Sequence, residues 1–144
     1  MGDIVTQTKD FLVSAGVGAE GGLQEAADYD IYAGPVPPTR DALIGIVRGP
    51  GASPNPRWLL DFPSVQVRVR GNKEDYLGTH IKAQAIKDAL LGIESVTVNG
   101  DRWVSTTMPT DIIDLGRDSS DRQEFALNFD LIIEPATGLN RIAL

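Results

Sequence analysis

At 144 residues the chain has the length of one ordinary domain, enough to bury a core without staples. No apolar run approaches the ~20 residues of a membrane helix, and the N-terminus, Met1-Gly2-Asp3-Ile4, lacks the basic and apolar blocks of a secretory signal. Cysteine is absent, which removes disulfides, thiolate nucleophiles and sulfur-bound zinc and suits a reducing cytoplasm. A net charge of −7 argues against gripping nucleic acid, because phosphates are held by Lys and Arg.

In chain order, the first element is a helix from Asp3 to Ala15. Asp3 is its N-cap and Gly16 its stop, and Ile4, Val5, Thr8, Phe11, Leu12 and Ala15 form one apolar stripe. Gly16 to Gly22 is a glycine-rich connector. Tyr29 to Ala33 reads as a short strand, and the prolines of Gly34-Pro35-Val36-Pro37-Pro38 forbid a helix or central strand there. The apolar run Asp41 to Val47 predicts a buried strand. Arg48 to Arg57, with five Gly and Pro residues, predicts an irregular loop.

Ser64 to Arg70 is the cleanest strand. Val65, Val67 and Val69 alternate with Gln66, Arg68 and Arg70, which predicts one buried face and one polar, basic face. Glu74 to Leu91, closed by Gly92, is a helix with two apolar stripes. Leu77, Ile81 and Ala85 lie nearly opposite Tyr76, Ala83, Ile86 and Leu90. A helix packed on one sheet needs a single stripe, so the second predicts a further contact, within the fold or with another subunit.

Val96 and Val98 lead into Asn99-Gly100, a hairpin signal, with a return strand through Arg102 to Ser105. Pro109 to Arg122, rich in Asp, Gly and Ser, reads as a long connection. Glu124 to Glu134 is the last strand: Phe125, Leu127, Phe129, Leu131 and Ile133 share one face, and Asn128, Asp130 and Glu134 the other. Pro135 stops it, and 136–144 form a tail without period. These elements predict an α+β fold: a mostly antiparallel sheet of about five strands, covered by two helices, with long loops or arms between strands, as a single domain over 1–144 with its core at about 3–135.

Catalytic chemistry has little support. His80 is the only histidine and sits mid-helix. Gly16, Gly18 and Gly21 spell Gly-x-Gly-x-x-Gly, but after a helix and not after a strand, so no dinucleotide site is expected. Asp111, Asp114, Asp118 and Asp121 could in principle hold Mg²⁺ or Ca²⁺. Their spacing misses the calcium-loop pattern, and Arg117 and Arg122 lie among them. A solvated loop is the plainer reading, and no cofactor or metal is expected. Arg68 and Arg70, with Arg48 and Arg57, read as partners for acids on a neighbouring strand or subunit.

One stretch carries a resemblance. Pro63-Ser64-Val65-Gln66-Val67-Arg68-Val69-Arg70-Gly71, then a Tyr76-containing helix ending Ala89-Leu90-Leu91-Gly92, resembles the tail-terminator and minor capsid proteins of long-tailed bacteriophages. Ile31 to Pro38, the strand Ala42 to Val47 and the Arg-led strand Arg122 to Glu134 are also similar. The resemblance implies a virion protein, assembled in the host bacterial cytoplasm and not an enzyme. Such proteins form a ring, usually of six copies, on the head-proximal end of the tail tube. The ring stops tube polymerisation and meets the head-completion or connector proteins, while DNA passes through an open channel without specific binding. A head–tail connector or neck-completion protein is the alternative, and a small metal-dependent enzyme using the Asp111–Asp121 loop is a more distant one. Pattern alone nominates Arg68, Arg70, Tyr76, Ile86, Leu90, Arg117, Asp118, Asp121 and Arg122 as residues that contact another subunit or the tube.

Overall fold

The computed structural model describes residues 3–20, 29–38, 41–55, 60–91 and 93–135. The end of the glycine-rich connector at Gly21 and Gly22, the expected helix stop at Gly92, the loop end at Arg57 and the tail 136–144 lie outside the described residues. Helix α1 (Ile4–Ser14) begins where the sequence puts it: the Asp3 carboxylate accepts a hydrogen bond from the Val5 amide at 3.1 Å. It ends before Gly16, whose φ of 76° is left-handed.

Ten strands follow among the described residues: β1 (Ala19–Glu20), β2 (Asp30–Ala33), β3 (Leu43–Arg48), β4 (Ala52–Asn55), β5 (Leu60–Phe62), β6 (Ser64–Lys73), β7 (Glu94–Val98), β8 (Asp101–Thr107), β9 (Ile113–Arg117) and β10 (Arg122–Glu134). Helix α2 (Tyr76–Leu90) stands between β6 and β7. The class is α+β with two helices, but the sheet is mixed and twice as rich in strands as expected. β1, β2 and β3 run parallel, and the other pairings are antiparallel. Three segments expected to be irregular contribute strands. Gly16 to Gly22 holds β1, Arg48 to Arg57 holds β4, and Pro109 to Arg122 holds β9. β4 ends the strand order, where Pro54 can stand without removing an inner ladder bond.

β10 organises the sheet. Its 13 residues pair with β6 and then β5 along one edge, and with β9 and then β8 along the other. The hairpin of β7 and β8 closes at Asn99 and Gly100, both at positive φ, as a two-residue turn of this kind requires. Alternation then sorts the sheet into two faces. One presents Ile44, Ile46, Val65, Val67, Val69, Phe125, Leu127 and Phe129, all buried beneath both helices. α1 delivers Ile4 and Leu12 to this core, and α2 delivers Ala83, Ile86 and Leu90. Gly71 lets α2 approach β6, since a Cβ there would overlap the Thr79 side chain. The other face carries no helix among the described residues. On it lie Leu43, Gly45 and Val47 of β3, Gln66, Arg68 and Arg70 of β6, and Glu124, Ala126 and Asn128 of β10, in register.

Candidate functional site

The helix-free face is crossed by a strap, Gly34 to Pro38, that joins the parallel strands β2 and β3. Two arginines hold it down. The Arg70 guanidinium donates to the Pro37 carbonyl at 2.8 Å and to the Asp41 carbonyl at 3.4 Å. The Arg122 guanidinium donates to the Pro38 carbonyl at 2.9 Å and pairs with Asp118 at 2.8 Å and Asp41 at 3.4 Å. Arg70 is 8% exposed and Arg122 7%, so the expectation that they meet another chain is corrected. Strand parity puts Arg70 on the polar face, as the alternation predicts, but the strap covers it. Burial, and then the nearby Arg122 charge, lower the Arg70 pKa, against the opposing pull of Asp118, Glu124 and Asp41.

Ile86 and Leu90 require the same correction. They are 0% and 1% exposed, deep in the chain's own core, and offer no surface. The α2 stripe to which they belong packs on β6 and β10. The opposite stripe is open: Leu77 is 72% exposed and Ile81 65%.

The expected long connection at Pro109 to Arg122 instead holds β9 and the turn that pairs it with β10. The Asp118 amide donates to the Arg122 carbonyl at 3.0 Å, and the Asp118 carboxylate accepts from the Ser120 and Arg122 amides at 2.9 and 3.0 Å. Asp121 completes the turn at φ 62° and accepts from the Glu74 amide through its carbonyl. Burial would raise the Asp118 pKa, but the amides and Arg122 outweigh it and the net shift is downward. Asp111 and Asp114 are also lowered, first by the backbone amides of Ile112 and Gly116 respectively, then by the side chains of Lys87 and Gln123. These carboxylates cap turns and pair with side chains. Among the described residues, no three acidic or histidine side chains converge as a metal site needs.

Tyr76 and His80 stack with rings 6.3 Å apart, and both lie over Phe125. The Tyr76 hydroxyl donates to Asp114 at 3.3 Å, and desolvation followed by the Asp114 charge raises its pKa. This cluster ties α2 to β9 and leaves Tyr76 45% exposed. Arg68, Arg117 and Asp121 are exposed, with the Arg68 Nε donating to Gln66 along its own strand.

Two surfaces stand out that the pattern-based nomination missed. One is the outer stripe of α2. The other is a groove of about 330 Å³ on the helix-free face, lined by Val36 of the strap, by Leu43, Gly45 and Val47, and by Arg68 and Arg70. The second apolar stripe of α2 is a sequence signal for the first surface. Only the fold, by laying the strap across β3, creates the second.

A family model of the bacteriophage tail terminator proteins matches residues 12–135. The chain belongs to the bacteriophage tail terminator family. This tail terminator is therefore a structural protein of the phage tail, located in the virion, and its partners are other tail and virion proteins. Its fold also matches a chain from the virion of a native gene transfer agent particle, with a TM-score of 0.63, 16% identity, and coverage of 91% of this chain and 94% of that one. At that identity the likeness is one of fold. No curated protein matches the sequence. No helix among the described residues is long and apolar enough to cross a membrane.

Proposed function

We propose that the chain acts as a single-domain ring subunit, over 1–144, that caps the head-proximal end of the tail tube. The ring, expected to hold six copies, stops addition of tube protein and presents a surface to the head-completion or connector proteins. The observation that carries this reading is the family match across residues 12–135. The role is mechanical and not catalytic, in keeping with carboxylates engaged in turns and ion pairs. Arg68, Tyr76, Arg117, Asp118 and Asp121 stay candidates for contact with a second copy or with the tube. Assembly takes place in the host bacterial cytoplasm.

The acidity has a use in such a ring. Six copies at −7 carry about −42, and acids facing the channel repel DNA phosphates over roughly 8 Å, the screening length at physiological salt. DNA then passes without sticking. Sedimentation of the purified protein across a wide concentration range, free and mixed with tail tubes, with negative-stain imaging of large species, tests the ring. Open-centred rings are the expected result. A closed two-fold dimer with nothing larger, with or without tubes, overturns it.

A further inference from the structure

A ring built by rotation needs two different surfaces on each copy, one to offer and one to receive. Resting on the ring reading above, we propose that these are the outer stripe of α2 and the strap groove, and that the stripe of one copy docks into the groove of a second copy.

Position supports this pairing. α2 covers one face of the sheet and the groove opens on the other, so the two surfaces lie on opposite sides of the molecule. Each copy can therefore use both at once. A two-fold contact would instead pair one surface with itself and leave the other open.

Shape and chemistry agree. At 100° per residue, Leu77, Ile81 and Asp88 fall diametrically opposite the buried line of Thr79, Ala83, Ile86 and Leu90. Glu74, exposed and at φ 60°, stands two residues before the helix begins. The stripe is thus an apolar pair, 72% and 65% exposed, with exposed acids at both ends. The groove offers a matching apolar floor of Leu43, Gly45 and half-exposed Val36 and Val47, and its polar side carries exposed Arg68 with half-buried Gln66 and Glu124. Docking Leu77 and Ile81 there removes both apolar surfaces from water and brings Asp88 to Arg68. The two clamping arginines gain a role as well. Arg70 and Arg122 fix the strap, so the wall that receives Leu77 is formed before the partner arrives.

The absence of cysteine gives a clean test. Ile81→Cys and Val47→Cys alter exposed side chains only, so both variants fold. A short bis-maleimide should join the double variant I81C/V47C into a ladder of covalent oligomers. Each single variant alone should stay uncoupled, and the two singles mixed should yield dimers only. Leu77→Asp should raise the concentration needed for assembly about ten-fold or more while leaving the circular dichroism unchanged. Wild-type rings with no ladder from the double variant overturn the pairing alone and hand both surfaces to the tube or head proteins. A wild type that never exceeds a monomer, free or with tubes, overturns the ring and the pairing together.

Discussion

A buried relay joins α1 to the β7–β8 hairpin and sets a measurable part of the stability. The Trp103 indole donates to the Gln7 side-chain oxygen at 3.1 Å, and the Gln7 amide donates to Asp101 at 2.7 Å. Trp103, Gln7 and Asp101 are 0%, 1% and 1% exposed. Gln7→Met keeps a long, unbranched side chain with similar helix propensity, so it isolates the hydrogen bonds from cavity and backbone effects. The Trp103 N–H then has no acceptor from Gln7, at about 1–3 kcal/mol, and the Asp101 carboxylate loses a charge-assisted bond worth about 1.5–3 kcal/mol. Together the loss is roughly 3–5 kcal/mol. For a chain of this length that is a fall in Tm on the order of 10–15 °C, at about 3 °C per kcal/mol. Urea denaturation followed by far-ultraviolet circular dichroism, with a parallel thermal scan, measures it. A loss below about 1 kcal/mol would refute the reasoning, because it would mean the indole and carboxylate find equal partners without Gln7.

The strap and the turns yield further expectations. Arg122→Met should cost about 2–4 kcal/mol, since it removes the ion pair to Asp118 and the donor to the Pro38 carbonyl; a double-mutant cycle with Asp118→Asn should show coupling above about 1 kcal/mol, and strict additivity would count against the clamp. Asp118 sits below its ordinary pKa in the folded chain, so its stabilisation is present above the unfolded value near 4 and fades as pH falls through the folded value. Asp118→Asn should therefore be less stable than wild type at pH 7, with the gap closing as the pH falls below the unfolded value near 4; a gap that ignores pH would remove the charge from the account. Gly71→Ala should cost about 1–3 kcal/mol because its Cβ meets the Thr79 side chain, and less in a Thr79→Ala background, where only the close approach of the residue-79 Cβ is left, both read from urea midpoints.

The elements that alternation or periodicity specify strongly are those the sequence makes legible: α1, β6, α2, the Asn99-Gly100 hairpin and β10. β9 is hidden because Asp, Gly and Ser dominate Pro109 to Arg122. Ile113, Asp114 and Leu115 become a strand only because β10 is long enough to offer that stretch an edge. β4 is hidden by Pro50 and Pro54 in the same way, and is tolerated because it lies at the end of the strand order. Parity places Arg70 on the correct face, yet its burial depends on a strap that packs across from a different part of the chain. Burial of that kind is tertiary and leaves no local period.

Helix α2 is the instructive case. Its two stripes are nearly equal in apolar content, so periodicity alone cannot say which one the sheet covers. The sheet takes the Ala83–Ile86–Leu90 line because Thr79, one turn earlier on the same line, fits against Gly71 of β6. Leu77 is bulkier than Thr79, and seating it against β6 would overfill that contact. The choice leaves Leu77 and Ile81 in water, on the side of the chain opposite the strap groove. Small residues at the helix–sheet contact thus settle which apolar stripe remains available to a partner.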